Sequence, residues 1–159
     1  MSNGNYRLLI VDDEPALRKA LRTSLTASGF SVSEAQNGDE ALSMLPHTPV
    51  DVVLLDINMP GTTGIDVCRR IRASSLRTGI MVTVRDSEED KVQALEAGAD
   101  DFITKPYLLR EMIARLHAVL RRLRTQQNAS DAILRVGSLE LDLGRRLVMK
   151  GGVEIRLSP

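Results

Sequence analysis

The chain has 159 residues, and 21 basic side chains balance 21 acidic ones, so its formal net charge is zero. Hydrophobic residues make up 43% of it, an ordinary globular proportion that excludes a disordered or collagen-like protein. Aromatic residues reach only 3%, which argues against a protein that stacks nucleic-acid bases on aromatic rings. A single cysteine excludes an intramolecular disulfide, no apolar run approaches the ~20 residues of a transmembrane helix, and no signal peptide opens the chain. We therefore expect a soluble cytoplasmic protein without membrane contact.

The charge is also balanced locally. Residues 1–124 carry 16 basic and 17 acidic side chains, and residues 125–159 carry 5 and 4. Neither part has the strongly basic character with which a DNA-binding module neutralises phosphates. The sequence alone therefore predicts no specific DNA binding by this chain.

Five short runs rich in valine, isoleucine and leucine punctuate the first 124 residues. They are Arg7–Val11, Ser31–Ala35, Val50–Leu55, Ile80–Val84 and Phe102–Thr104. Short runs of this kind are typical of the strands of a parallel sheet that is covered on both faces.

Apolar residues at helical spacing mark five segments between and after these runs. They are Leu17, Leu21 and Leu25; Ala41, Leu42 and Leu45; Val67 and Ile71; Val92 and Leu95; and a stripe within Leu108–Arg124. Strand and helix thus alternate five times. We predict an α/β domain over residues 1–124, with a doubly wound five-stranded parallel sheet and five helices.

The remainder of the chain has a different pattern. Residues 125–132 are polar and aperiodic, which predicts a linker. Four strand-like runs separated by glycine-containing turns follow, at Ile133–Val136, Leu139–Leu143, Arg146–Met149 and Val153–Leu157. We predict that residues 133–159 form a short antiparallel β meander.

Polar residues follow the predicted parallel strands at their carboxyl ends. Asp12 and Asp13 follow the first, Asp56 the third and Lys105 the fifth, and Thr83 lies near the end of the fourth. Each residue alone could simply be a solvated strand end, but together they predict one site, because ligands of such sheets bind at this edge. Clustered carboxylates repel one another and favour a hard cation such as Mg²⁺. With a lysine and a hydroxyl nearby, the set suits an aspartate that attacks a phosphoryl group.

Several separated motifs resemble one family. The segments Leu8–Glu14 (LLIVDDE), Leu55–Gly61 (LDINMPG) and Gly98–Pro106 (GADDFITKP), with Thr83 between the last two, resemble the receiver domain of bacterial two-component response regulators. The resemblance covers roughly residues 5–124. It implies the flavodoxin-like strand order 2-1-3-4-5.

The resemblance implies a role for each of these residues. Asp56 is the expected phosphoacceptor for a sensor histidine kinase, and Lys105 would pair with a phosphoryl oxygen beside a cis peptide to Pro106. The expected Mg²⁺ ligands are Asp13, Asp56, the backbone carbonyl of Asn58 and, mainly through water, Asp12. Thr83 and Phe102 are the expected switch residues. Val84 departs from the family's usual alanine or glycine and should narrow the path to Asp56.

The resemblance also implies a homodimer. Charged residues match those with which OmpR/PhoB-type receivers pair through the fourth helix, the fifth strand and the fifth helix. The expected cross-dimer pairs are Lys91–Glu111, Asp101–Arg115 and Asp100–Arg122. Such reciprocal pairs suit two-fold symmetry.

The meander resembles the first sheet of the winged-helix effector domain of the same subfamily. Residues 155–159 resemble the last strand of that sheet and the start of the next helix, so we expect an effector domain that is incomplete in this sequence. Promoter DNA would then be bound only by the part that is absent here, and the chain would be a signalling phosphoacceptor rather than an enzyme. A regulator of the KdpE type is one candidate within the subfamily.

Three other functions are weighed against this one. A haloacid-dehalogenase-type phosphatase also uses a strand-end aspartate with Mg²⁺, but it needs a second aspartate where this chain has Asn58. A stand-alone receiver would end at the fifth helix, before the predicted meander. A complete DNA-binding repressor would need a recognition helix that this sequence lacks.

Overall fold

Two β-sheets organise the chain in this computed structural model, which describes residues 5–75, 77–130, 133–136, 139–142, 147–151 and 153–155. The strands of the first sheet are β1 (Arg7–Val11), β2 (Ser31–Ala35), β3 (Val52–Asp56), β4 (Gly79–Val84) and β5 (Asp101–Thr104). The helices are α1 (Pro15–Ala27), α2 (Gly38–Met44), α3 (Gly64–Ser74), α4 (Glu88–Glu96) and α5 (Leu109–Ser130). The strands pair in parallel in the order β2-β1-β3-β4-β5. The predicted fold is confirmed.

The sequence explains where the central strands and most helices form. Every residue of β3 and β4 is buried, as a strand between two helical layers requires. Three helices begin at side chains that accept a hydrogen bond from an otherwise unpaired backbone N–H group, namely Asn37, Thr63 and Ser87. The helix α1 instead begins with Pro15, whose fixed φ suits the first helical position.

The core on one face of the sheet joins alternate strand residues to three helices. Leu55 of β3, together with Val82 and Val84 of β4, packs in one cluster with Cys68 of α3 and Ala94 of α4. Successive side chains of a strand point to opposite faces. Asp56 and Thr83, which are register partners, therefore belong to the other face.

Two helices differ from the prediction. The helix α5 continues to Ser130, so residues 125–130 of the predicted linker are helical. Val92 and Leu95 of α4 are each 48% exposed, although their spacing marked the helix, and the buried residue of α4 is Ala94. None of the helices among the described residues is both long and apolar enough to span a membrane.

The second sheet contains β6 (Ile133–Val136), β7 (Leu139–Asp142), β8 (Leu147–Lys150) and β9 (Val153–Ile155). Its strands pair antiparallel in chain order, as the predicted meander requires. Some of the predicted bounds lie outside the described residues. These are the strand ends at Leu143, Arg146 and 156–157, and the start of the effector helix at 158–159. The chain divides into two compact units, Met1–Leu120 and Arg121–Pro159. Their assignment to a receiver and an effector fragment stays a prediction.

Candidate functional site

Backbone hydrogen bonds hold the carboxyl ends of the parallel strands together. The N–H of Ile57, just after β3, donates to the carbonyl of Thr83 in β4 at 3.1 Å. The N–H of Lys105, just after β5, donates to the carbonyl of Val84 at 2.8 Å. On the other side of β3, Val11 of β1 is the register partner of Leu55. The residues that follow these strands are therefore brought to one edge of the sheet.

Three carboxylates meet at this edge. One oxygen from each of Asp12, Asp13 and Asp56 lies within 4.8 Å of the other two. Asp12 and Asp56 are buried, at 4% and 5% exposure, whereas Asp13 is exposed. Carboxylates so close together repel one another when all are ionised. The cluster therefore favours a cation or a proton.

The surroundings of Asp12 shift the pKa of its carboxyl group. Burial raises the pKa of its carboxyl group, and the charges of Asp56 and Asp13 raise it further, while the N–H of Glu14 and the Lys105 charge act in the opposite direction. The Glu14 N–H donates to Oδ1 of Asp12 at 2.9 Å. That bond fixes the carboxylate at the entry to α1.

Asp56 is held from two sides. The backbone N–H of Asn58 donates to Oδ1 at 3.1 Å, and Nζ of Lys105 lies 3.5 Å from Oδ2. The side chain of Lys105 is 29% exposed, so the ammonium group is near the surface while its partner is buried. This arrangement leaves a carboxylate that is oriented, neutralised on one side and next to two other acidic groups.

The donor set fits Mg²⁺. The cluster offers carboxylate oxygens only, and hard oxygen ligands are those that Mg²⁺ prefers, usually one or two carboxylates with several waters. The buried Oγ1 of Thr83 has no hydrogen-bond partner among the described residues. A polar atom that is buried without a partner beside such a cluster is typical of a site that receives a polar ligand.

Comparison with known proteins agrees with this geometry. The family model of the response regulator receiver domain matches residues 8–117. The chain belongs to the response regulator receiver family. Acidic pockets of this family generally bind Mg²⁺, and the cluster lies where such a pocket is expected.

Individual relatives refine the subfamily. RegX3 of Mycolicibacterium smegmatis is 45% identical over 94% of this chain and 67% of its own length, and KdpE of Mycobacterium tuberculosis is 40% identical over 96% and 67%. The crystal structure of DrrB, an OmpR/PhoB homologue of Thermotoga maritima, has a TM-score of 0.66 and 26% identity over 97% of this chain and 67% of its own. The chain thus spans about two thirds of these relatives, which are OmpR/PhoB-type regulators. KdpE is among them, at lower identity than RegX3.

The expected switch residues of this receiver lie on neighbouring strands. Val82 of β4 is the register partner of Phe102 of β5, one residue before the buried Thr83. The ring of Phe102 packs against the core cluster and lies 6.0 Å from Nζ of Lys91. Lys91 therefore lies beside the residue that is expected to move on activation.

The charged residues of the expected dimer face have partners within one chain. Lys91 pairs with Asp86 at 3.1 Å and with Glu88 at 3.8 Å. Arg115 pairs with Asp101 at 3.2 Å and with Glu111 at 3.3 Å. The Asp101–Arg115 pair, which was expected between two chains, is therefore formed within one chain.

Asp100 and Arg122 of the same face differ in exposure. Asp100 pairs with Arg72 at 2.9 Å and accepts the N–H of Ile80, and its side chain is only 26% exposed. Arg122 is an exposed residue of α5.

Tyr107 near the site and Arg72 at the opposite, amino-terminal edge of the strands did not stand out in the sequence, whereas Gly64 belongs to the family motif that follows Asp56. Gly64 begins α3, and a Cβ there would lie 2.5 Å from the carbonyl oxygen of Asp56. Arg72 connects α3 to the segment before β5 through the carbonyl of Gly98, at 2.8 Å. The hydroxyl of Tyr107, two residues after Lys105, is buried without a partner among the described residues. Of Arg72 and Tyr107, only Tyr107 has a sequence signal, its place in the loop that carries the lysine.

Proposed function

We propose that Asp56 accepts a phosphoryl group from the phosphohistidine of a sensor histidine kinase, in a reaction that needs Mg²⁺. The observation that carries the proposal is the environment of the Asp56 carboxylate. It is 5% exposed, oriented by the Asn58 N–H, paired with Lys105 and adjacent to the Asp12 and Asp13 oxygens. A nucleophilic carboxylate needs this combination of fixed direction and nearby positive charge.

The transfer uses groups that are already in place. A carboxylate oxygen of Asp56 attacks phosphorus, the phosphorus–nitrogen bond to the imidazole breaks, and the leaving imidazole takes a proton from solvent. Asp13, Asp56 and the Asn58 carbonyl, with waters on Asp12, would hold Mg²⁺, which would supply positive charge to the phosphoryl oxygens. The ammonium group of Lys105 exchanges its contact with Asp56 for one with a phosphoryl oxygen. The Asp56 side chain thereby acquires a charge of about −2.

Thr83 and Phe102 convert this charge into a change of shape. The Oγ1 of Thr83 is a buried donor without a partner among the described residues, so a new oxygen acceptor at Asp56 attracts it. The Phe102 ring would respond by moving inward, as the switch aromatic of the family does. This movement removes the ring from Lys91, which lies 6.0 Å from it in the present conformation. Phosphorylation therefore changes the surface around Lys91.

We propose that this surface dimerises. Val92 and Leu95 on α4 are each 48% exposed, and an interface of this kind needs such apolar residues for its buried core. The dimer would use α4, β5 and α5 of two chains, with Lys91–Glu111, Asp101–Arg115 and Asp100–Arg122 exchanged between them. Exposed pairs contribute only about 0–1 kcal/mol each, so they select the register while the apolar residues supply the contact area.

The proposed effect of phosphorylation on transcription is inferred from the subfamily. OmpR/PhoB-type relatives are transcriptional regulators, and we propose that in a longer chain the phosphorylated dimer controls promoter binding by a winged-helix domain, of which β6–β9 form the first sheet. We place this signalling in the cytoplasm, where receivers of the family meet their kinases.

Intact mass measurement tests the proposal. Wild-type protein, Asp56→Asn and Asp66→Asn are incubated with acetyl phosphate, with Mg²⁺ or with EDTA. We expect one added phosphoryl group on the wild type and on Asp66→Asn, only with Mg²⁺, and none on Asp56→Asn. Asp66 is the matched control because it is an exposed carboxylate on α3, paired with Arg69. Equal modification of Asp56→Asn would show that another residue is the acceptor.

A further inference from the structure

Asp12 lies between β1 and α1, and hydrogen bonds hold its backbone on both sides. Its N–H donates to the carbonyl of Ala35, the last residue of β2, at 3.2 Å. Its own carbonyl accepts a hydrogen bond from Nη1 of Arg18, on α1, at 2.8 Å. The two peptide planes that meet at Asp12 are therefore both held, one by the sheet and the other by an arginine side chain.

The guanidinium group of Arg18 is held in its turn by β2. Its Nε lies 3.8 Å from Oε1 of Glu34, and the Arg18 side chain is only 15% exposed. Arg22, one turn further along α1, pairs with the other oxygen of Glu34 at 2.7 Å and is 52% exposed. Hydrogen bonds from a charged donor are stronger than neutral ones, and water competes little for a donor with so little exposure. The two arginines thus share one carboxylate, and of the two it is Arg18 that also donates to the Asp12 carbonyl.

The peptide that Arg18 holds connects two members of the carboxylate cluster. Asp13 is exposed, so its position depends on the backbone that carries it rather than on packing around its side chain. One oxygen from each of Asp12, Asp13 and Asp56 lies within 4.8 Å of the other two, and like charges at this distance repel one another. A backbone free to turn at Asp12 would relieve the repulsion by separating the carboxylates. A cation needs them close together, so a backbone that is already held lowers the cost of binding it.

We propose that Arg18 is a positioning residue of the Mg²⁺ site, whose hydrogen bond to the Asp12 carbonyl keeps Asp12 and Asp13 in the arrangement that binds the hydrated cation. Arg18 acts through the backbone of the loop and is not itself a ligand. Groups that orient metal ligands from outside the coordination sphere strongly affect metal affinity. The inference rests on the proposed function, since it assigns Arg18 to the same site.

Calorimetric titration with Mg²⁺ alone tests the inference on the full chain. Arg18→Met removes the donor and keeps a long side chain, and we expect its Kd for Mg²⁺ to be about tenfold weaker than that of the wild type. Arg22→Met is the matched control, because it breaks the shorter ion pair with the same Glu34 and leaves the hydrogen bond to the Asp12 carbonyl in place. Its Kd should equal that of the wild type.

Thermal unfolding gives a second readout, which separates positioning from a general loss of stability. Loss of the Arg18 hydrogen bond lowers the Tm in EDTA whether or not the residue positions the loop. The further rise in Tm on addition of Mg²⁺ depends on the Kd of the folded chain. We expect this rise to be smaller in Arg18→Met than in the wild type at the same Mg²⁺ concentration, and unchanged in Arg22→Met. A merely structural arginine would leave the rise the same in both.

A conservative variant covers the case in which Arg18→Met does not fold. Arg18→Lys retains the charge and a donor on a shorter head group, so we expect its Kd for Mg²⁺ to be about threefold weaker than that of the wild type.

The outcomes separate this inference from the proposed function. A Kd of Arg18→Met equal to that of Arg22→Met overturns the role of Arg18 and leaves Asp56 phosphorylation standing. If Arg18→Met does not fold, a Kd of Arg18→Lys equal to that of the wild type does the same. A wild type that binds no Mg²⁺ overturns the proposed Mg²⁺ dependence, and the role of Arg18 falls with it.

Discussion

At the scale of single residues, Asp12 lowers the stability of the metal-free receiver. Its carboxyl group is 4% exposed, and its pKa is raised by burial and then by the Asp56 and Asp13 charges. The folded chain thus retains this proton to a higher pH than the unfolded chain does. Since the native state binds more protons in that window, stability falls as the pH rises above the ordinary carboxyl pKa of about 4.

We therefore predict that Asp12→Asn stabilises the protein in EDTA. The amide keeps an oxygen for the Glu14 N–H and removes the charge. At pH 7 the gain should be about 1 kcal/mol, or a few degrees in Tm, and it should shrink as the pH approaches 4. Thermal unfolding at several pH values checks this, with the exposed Asp66→Asn as the control. A variant that is less stable than the wild type at pH 7 in EDTA would contradict the electrostatic argument.

A smaller side chain at position 84 should lower the stability of the protein and ease the access of a small phosphodonor to Asp56. Val84 is fully buried in the core cluster and follows Thr83 in β4. Val84→Ala removes two methyl groups, which should cost about 2 kcal/mol of folding free energy. We predict that it also speeds phosphorylation by acetyl phosphate, because a smaller side chain widens the path to Asp56. Urea unfolding and the rate of adduct formation measure the two effects, and an unchanged rate would remove Val84 from the access path.

At the scale of elements, the strands were easier to predict than the helix ends. The predicted bounds of β1 and β2 match the structure, and those of β3, β4 and β5 differ by one or two residues, because an apolar run between two helical layers has few alternatives. The end of α5 was wrong because residues 125–130 are polar and have no apolar stripe. A helix that is already packed needs only propagation to grow, and glutamine and alanine are good helix formers. Periodicity measures burial, and the polar residues 125–130 carry no apolar period.

The helix α4 shows a second limit of the sequence. Val92 and Leu95 have the spacing of a buried stripe, yet the monomer leaves both exposed. Spacing indicates that one face of a helix is apolar, but it does not reveal whether that face covers its own sheet or another molecule. In the site, Asp12, Asp56 and Lys105 were predictable because strand order brings strand ends together. Arg72, at the other edge of the sheet, was not predictable, because its partners include backbone carbonyls, which have no sequence pattern.

Arg72 joins three elements around the segment before β5. Its guanidinium group donates to the carbonyls of Gly98 and Thr78, at 2.8 and 3.1 Å, and pairs with Asp100. We predict that Arg72→Met costs about 2–3 kcal/mol in urea unfolding, because a half-buried carboxylate and two carbonyls lose charged donors. The matched control is Arg69→Met on the same helix. Its pair with Asp66 is 3.7 Å long and more than half exposed, so the loss should stay below about 0.5 kcal/mol. Equal losses in the two variants would contradict the bracing role of Arg72.

At the scale of the whole molecule, a net charge of zero hides a surface of alternating charges. Lys91 is bound to Asp86 and lies near the Phe102 ring, while Arg115 holds both Asp101 and Glu111. A dimer on this face must exchange such internal pairs for external ones, so its electrostatic gain is small. On the proposed activation, movement of Phe102 would change that balance by removing one of the contacts of Lys91.

We predict that exchanging the charges of Lys91 and Glu111 together restores a dimer that either substitution alone weakens. With Mg²⁺ and beryllofluoride, which imitates the phosphoryl group, the wild type should sediment as a dimer. Lys91→Glu alone and Glu111→Lys alone should each weaken the dimer about tenfold, because two-fold symmetry places every mismatch in the interface twice.

The double variant Lys91→Glu/Glu111→Lys should restore the dimer, since each new charge meets its opposite across the axis. Arg69→Glu on α3, outside this face, should leave the dimer intact. Each single variant also breaks a pair within its own chain. A purely internal effect would weaken the double variant at least as much as either single one, because the new negative charge at position 91 would face Asp86 and the new positive charge at position 111 would face Arg115. Recovery in the double variant therefore requires the partner chain. A double variant that stays monomeric would show that Lys91 and Glu111 do not pair between chains.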